Sequence, residues 1–196
     1  QRLLRASLWS RWLALLLTMI AAIILGMGLP TTAAYLILAT VVAPALVKMD
    51  LPILTAHFFV FYYGCISTIT PPVALASYVA AGIAGAGINK VGWTAASYGL
   101  TSYLLPFAFC FGPGLMLQGT IAENVLAIVT GTAGTFAVAV AIVGCLHKPL
   151  SMPLRAMALL AGVLLLFQGL LTAAAGAILL GGLWLLQRTK AEPALS

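Results

Sequence analysis

Two neighbouring apolar stretches decide the fold: GMGLPTTAAYLILATVVAPAL, residues 26–46, and AHFFVFYYGCISTITPPVALASYVAAGIAGAG, residues 56–87. Each stretch includes a short segment of glycine, proline, serine or threonine, at which an apolar helix has to unwind. Non-helical backbone at membrane depth is tolerated only where it is buried in protein or lines a cavity. The two interruptions therefore indicate a functional site inside a membrane protein.

The composition of the chain agrees with a membrane environment. Hydrophobic residues make up 63% of the 196 residues and charged residues only 6%, and the mean hydropathy is +1.16. A soluble domain carries about 25% charged residues, whereas the acids here are only Asp50, Glu123 and Glu192. The net charge of +6 comes from single Lys and Arg residues at the ends of apolar runs, a pattern that suits membrane flanks and not nucleic acid. We expect an all-α membrane protein, a polytopic helical bundle.

The first interrupted segment covers about residues 12–47. Its apolar arms, residues 12–25 and 33–47, are both shorter than the about 20 residues that a crossing helix needs. Two short arms joined by the Gly, Pro and Thr residues of 26–32 predict a re-entrant hairpin, which enters and leaves the membrane on one side. The alternative is one long spanning helix that is kinked at Pro30.

The second interrupted segment covers residues 51–87 and breaks at residues 67–72. Pro71 and Pro72 remove two backbone donors and disfavour helix in the residue before them. Further transmembrane helices are predicted over residues 93–117 and 125–146, and two short segments over residues 154–186, separated at Gln168 and Gly169. We group residues 1–118 as a transport core and residues 119–188 as C-terminal transmembrane helices, with a polar tail at residues 189–196.

Enzymatic sites are excluded by the residues available. No G-x-x-x-x-G-K-[ST] or G-x-S-x-G motif occurs, and His57 and His147 lie in different segments without a supporting acid. The three cysteines lie in apolar runs without C-x-x-C spacing, which favours buried structural thiols. We therefore expect no enzyme and no organic cofactor.

The interrupted segments supply oxygen atoms of the kind that bind hard cations such as sodium. Unwound carbonyls and hydroxyls coordinate such ions in transporters, while the N-termini of half-helices attract anionic groups. The alternative is that these hydroxyls only satisfy backbone groups freed by the prolines. The sodium candidates are Gly26, Gly28, Thr31, Thr32, Gly64, Ser67, Thr68 and Thr70, and the substrate candidates are Thr32, Ser67, Pro71 and Pro72.

The two quoted stretches closely resemble the large, DctM-like membrane subunit of TRAP transporters, in particular the fused permeases that work with TAXI-type solute-binding proteins. The resemblance covers about residues 15–118. Its most specific parts are the Leu-Pro-Thr-Thr segment at residues 29–32 and the Thr-Pro-Pro-Val segment at residues 70–73. Beyond Glu123 only the hydropathy agrees.

The resemblance implies the C-terminal half of an inverted-repeat, elevator-type permease in the bacterial inner membrane, which imports organic acids with a sodium gradient. It implies a periplasmic solute-binding protein as one partner, and a small membrane subunit or the N-terminal half of the same permease as another. Residues 26–32 would form the tip of the second re-entrant hairpin, and residues 67–72 the break in its partner helix. Because the sequence opens on Gln1, we also expect a fragment or processed form of a longer protein.

The sequence is compatible with two other functions. A proton-coupled carrier would use His57 as a relay, because an ionisable residue inside a membrane is a functional candidate. Its position soon after Pro52 instead suggests the membrane interface. A non-transporting scaffold for partner subunits is the alternative of another class, although two oxygen-rich breaks would serve no purpose in it.

Overall fold

The computed structural model describes the backbone of residues 2–189 and the side chains of residues 11–188. Every regular element in that range is helical, and an isolated bridge joins Cys145 to Pro149.

The chain divides into two compact units, Gln1–Cys110 and Phe111–Ser196. The first unit contains α1 (Arg2–Gly26), α2 (Thr31–Val41), α3 (Ala43–Val47), α4 (Ile53–Ile66), a 3-10 turn (Ser67–Ile69), α5 (Leu75–Ala84), α6 (Ile88–Tyr98) and α7 (Leu100–Phe111), which ends at the boundary. The second contains a 3-10 turn (Gly114–Met116), α8 (Ile121–Val143), α9 (Met152–Leu166) and α10 (Leu170–Thr189).

Within the described residues, two helices are long and apolar enough to cross a membrane, Ile121–Val143 and Leu170–Arg188. The first unit contributes shorter apolar helices, among them Arg11–Gly26 and Ile53–Ile69. The helical fold class is thus confirmed. The short apolar helices are those expected of interrupted segments.

Helix α4 forms the centre of the first unit, because α1, α2 and α3 all pack against it. Its side chains Phe59 and Tyr63 are fully buried. Phe107 of α7 stacks on Trp12 of α1, with ring centroids 5.7 Å apart, and meets Phe59 edge-on. Burial of large aromatic side chains is the main stabilising contribution in such a core, so these contacts hold α4 against α1 and α7.

The first interrupted segment unwinds between α1 and α2, as predicted. Gly28 adopts a φ of +79°, a conformation that glycine adopts without steric cost. The arms differ from the prediction in extent, since α1 already begins at Arg2 and residues 33–47 divide into α2 and α3 at Val42. Pro44 explains this division, because it lacks the N–H that would bond to the carbonyl of Thr40.

The helix predicted over residues 93–117 is wrong in its extent. The structure instead has α6 and α7, separated at Gly99, and α7 ends at Phe111. A Cβ built on Gly99 would lie 2.9 Å from Ile69 Cδ1, so the interruption accompanies a close contact with the 3-10 turn. The two compact units meet after Cys110, whereas the sequence analysis grouped residues up to Gln118 in one core.

The second unit is a set of three packed helices. A capping box starts α8, in which Thr120 N–H donates to Glu123 Oε2 at 2.7 Å and Glu123 N–H donates to Thr120 Oγ1. Helices α8 and α9 approach closely, because a Cβ built on Gly162 would lie 2.6 Å from Val138 Cγ2. The interruption predicted at Gln168 and Gly169 separates α9 from α10. Residues 190–196 of the predicted polar tail lie outside the described residues.

Candidate ion and substrate site

The tip between α1 and α2 lies directly on the break that follows α4. Gly26 ends α1, and a Cβ built on it would lie 2.6 Å from Ser67 Oγ and 3.1 Å from Ser67 Cβ. Ser67 is fully buried at the first position of the 3-10 turn. Carbon and oxygen atoms do not pack at 2.6 Å without a shift, so this contact requires glycine at position 26. The structure therefore brings together two candidates that the sequence placed in separate segments.

Two further glycines among the candidates line the contact between the interrupted segments. A Cβ built on Gly28 would lie 3.8 Å from Val73 Cγ1, just beyond Pro72. A Cβ built on Gly64 would lie 3.3 Å from Leu38 Cδ1 and 3.8 Å from the backbone nitrogen of Tyr35. The small residue at position 64 thus lets α2 approach α4 closely, one turn before the break.

The hydroxyl groups of the break donate to carbonyls in the last turn of α4. Ser67 Oγ donates to the carbonyl of Gly64, Thr68 Oγ1 to that of Cys65, and Thr70 Oγ1 to that of Ile66, each at 2.7 Å. These bonds agree with the alternative interpretation of the sequence, in which the hydroxyls satisfy backbone groups. They also commit each hydroxyl proton to a carbonyl, which leaves the oxygen with lone pairs only. The arrangement therefore satisfies the backbone and leaves three hydroxyl oxygens that can accept but not donate.

Two tyrosines that the sequence did not single out complete this network. Tyr103 of α7 lies with its hydroxyl 2.6 Å from Thr70 Oγ1. Because the Thr70 proton bonds to Ile66, the Tyr103 hydroxyl acts as the donor. The Tyr63 hydroxyl donates to the backbone carbonyl of Tyr103 at 2.7 Å. Tyr63 could have been found from its position four residues before Ser67, on the same helix face, but nothing in the sequence marks Tyr103.

The remaining candidates lie at more accessible positions. Thr31 and Thr32 are exposed in the first turn of α2, which has no side-chain cap. Pro72 is exposed, and Pro71 is half-buried 3.7 Å from a Cβ built on Gly92. Among residues 11–188, no three His, Cys, Asp or Glu side chains gather as metal ligands. Ser67 is thus buried and Thr68 and Thr70 are half-buried, whereas Thr31, Thr32 and Pro72 are exposed.

His57, the candidate proton relay, makes a contact between helices. Its Nδ1 lies 3.1 Å from the hydroxyl of Tyr35, which joins α4 to α2. The Tyr35 ring also packs edge-on against Phe61 of α4. His57 is half-buried in the first turns of α4, whereas the break follows the last turn. This position gives His57 a part in holding α2 on α4.

Comparison with known proteins identifies a family for the segment that contains this site. Residues 2–124 match the family model described as Tripartite ATP-independent periplasmic transporter, DctM component. No curated protein and no solved structure matches the chain. The match covers more than half of the chain and includes both interrupted segments.

Proposed function

The chain belongs to the DctM family of membrane components of tripartite ATP-independent periplasmic transporters, and we propose that it carries the ion and substrate site of a sodium-coupled importer of organic acids. The family consists of transporter components and is not a family of enzymes. The observation that supports the proposal most is the contact of the tip at Gly26 with the break at Ser67. That contact brings the tip and the break together, which supports a single site built from both segments.

The ion side of the proposed site is the inner part of the break. The hydroxyl protons of Ser67, Thr68 and Thr70 all bond to carbonyls, so their oxygens present lone pairs to a cation. Sodium is a hard cation that binds such neutral oxygens together with unwound carbonyls. The backbone carbonyls of residues 26–28 would complete the ligand set from the side of the tip. No carboxylate is required for an ion with a single charge.

The substrate side of the proposed site is its accessible part. Helix α2 begins at Thr31 and α5 at Leu75, both directly after an interruption, and neither has a side-chain cap. The N-terminus of a helix carries a partial positive charge of about half an elementary charge, which favours a carboxylate. Thr32 and the turn at Pro71 and Pro72 would contact the acid, while Ser67 would reach it only if the tip lifts away from the break.

The proposed re-entrant hairpin makes a prediction about sidedness. The hairpin would bring Arg11, at the start of the apolar part of α1, and Lys48, after the end of α3, to the same face of the membrane. Leu15 and Leu46 belong to one buried apolar cluster. Single cysteines at Arg11 and Lys48, on a background without Cys65, Cys110 and Cys145, are expected to react with an impermeant thiol reagent from the same side. Reaction from opposite sides would establish a spanning helix kinked at Pro30.

The proposed partners follow from the family and supply the test of the function. We propose a periplasmic solute-binding protein of the TAXI type, a small membrane subunit or fused equivalent, and an inverted first repeat that together form an elevator-type carrier in the bacterial inner membrane. Vesicles that contain the complete transporter and its binding protein should accumulate an organic acid only with an inward sodium gradient. Vesicles that contain this chain alone should not. Accumulation by the isolated chain, or equal uptake when potassium replaces sodium, would contradict the proposal.

A further inference from the structure

Helix α7 contacts the chain on both sides of the 3-10 turn that follows α4. The hydroxyl of Tyr63, in the last turn of α4, donates to the backbone carbonyl of Tyr103 at 2.7 Å. The hydroxyl of Tyr103 lies 2.6 Å from Oγ1 of Thr70, the residue that ends the 3-10 turn. One residue of α7 therefore joins the helix before the break to the residue after it.

The neighbours of Tyr103 on the same face of α7 extend this contact in both directions. Gly99, Tyr103 and Phe107 follow each other at a spacing of four, which places them on one helical face. A Cβ built on Gly99 would lie 2.9 Å from Ile69 Cδ1, at the end of the 3-10 turn. The ring of Phe107 lies beside that of Tyr63, with centroids 6.3 Å apart. This face therefore follows the end of α4 and the turn after it, with Tyr103 at the middle.

Two hydrogen bonds at Thr70 determine the direction of the one lone pair that its hydroxyl keeps. A hydroxyl oxygen has one proton and two lone pairs. The proton of Thr70 bonds to the carbonyl of Ile66 at 2.7 Å, and one lone pair accepts from the Tyr103 hydroxyl. The remaining lone pair has a fixed direction, because the other tetrahedral positions around the oxygen are occupied. Removal of the Tyr103 hydroxyl would take away the contact from α7 that sets this direction.

We propose that Tyr103 is a positioning residue for sodium, whose hydroxyl holds the Thr70 oxygen in the orientation in which it binds the ion. The inference rests on the proposed sodium site and adds a residue that acts on the ion only through Thr70. The hydrogen bond from Tyr63 to the Tyr103 carbonyl anchors this residue on α4, so the Tyr103 hydroxyl has a defined position relative to the break. Sodium affinity thereby depends on how α7 lies against α4.

Two tyrosines give a matched pair of variants for this role, because Tyr→Phe keeps the ring and removes only the hydroxyl. Uptake by the complete transporter with its binding protein would be measured against sodium, with potassium replacing it at constant ionic strength. Tyr103→Phe should raise the sodium concentration for half-maximal uptake by about fivefold, the effect of one lost hydrogen bond. The maximal rate at saturating sodium should stay unchanged. Tyr98→Phe, which removes an exposed hydroxyl of α6, should change neither quantity.

The same measurement in the Thr70→Ala background examines whether Tyr103 acts through Thr70. The oxygen that Tyr103 contacts is then absent, so Tyr103→Phe should cause no further shift. Equal shifts in both backgrounds would overturn the positioning role, as would lower expression or a lower maximal rate of Tyr103→Phe without a shift.

The sodium dependence of the unmodified transporter separates this inference from the proposed function. If its uptake requires sodium and Tyr103→Phe has the same sodium curve, the positioning role is wrong and the proposed function stands. Sodium-independent uptake by the unmodified transporter would contradict the proposed function, and the positioning role with it.

Discussion

Replacement of Gly26 by alanine is expected to abolish most of the uptake by the complete transporter. The added Cβ would lie 2.6 Å from Ser67 Oγ, an atom that is fully buried and bonded to the carbonyl of Gly64. Neither atom can move without displacing the tip or the 3-10 turn. Overpacking of this kind costs about 1–3 kcal/mol, and here it would separate the two halves of the proposed site.

A double-mutant cycle distinguishes this collision from a general effect of alanine. Uptake and the midpoint of thermal unfolding in detergent would be measured for Gly26→Ala, Ser67→Gly and the double variant. We expect Gly26→Ala to lower the free energy of unfolding by about 1 kcal/mol less in the Ser67→Gly background. In that background Ser67 Oγ and Cβ, the two atoms nearest the added Cβ, are absent. Gly82→Ala is the control, since a Cβ at that helical position meets no atom within 4 Å. An equal cost of Gly26→Ala in both backgrounds would show that the contact with Ser67 is not responsible.

Replacement of Thr70 by alanine is expected to raise the sodium concentration for half-maximal uptake by about tenfold, the equivalent of about 1.4 kcal/mol. Thr70 directly precedes Pro71 and Pro72, and its hydroxyl donates to the carbonyl of Ile66. Tyr103 holds the same oxygen from α7 at 2.6 Å. Loss of that oxygen would remove a proposed ion ligand together with its support.

Matched variants separate ion binding from folding. Thr70→Ser keeps the hydroxyl and should keep the sodium dependence near that of the unmodified transporter. Thr94→Ala, an exposed position on α6, should have no effect. Uptake would be measured against sodium with potassium replacing it at constant ionic strength. Low expression of Thr70→Ala without a shift in sodium dependence would show that the hydroxyl only satisfies the backbone.

The sequence predicted the interruptions well because glycine and proline act locally. Pro30, Pro71 and Pro72 remove backbone donors whatever surrounds them. Gly28 adopts the positive φ with which the chain leaves α1. The same reasoning located the interruption at Gln168 and Gly169. These effects are visible in the sequence because each depends on the backbone of one or two residues.

Other features depend on contacts between distant segments and were missed. The interruption at Gly99 accompanies a contact with Ile69, and the network at Thr70 depends on Tyr103 from another helix. Neither pair is adjacent in the sequence, and no periodicity relates them. The contact of Gly26 with Ser67 is an intermediate case, because the sequence named both residues and only the structure supplied their distance.

Equilibrium binding of radioactive sodium to the purified complete transporter tests the proposed ion site. We expect saturable binding that unlabelled sodium displaces and potassium does not, and weaker binding by Thr70→Ala than by Thr70→Ser. The absence of saturable sodium binding by the unmodified transporter, or equal binding by both Thr70 variants, would contradict it.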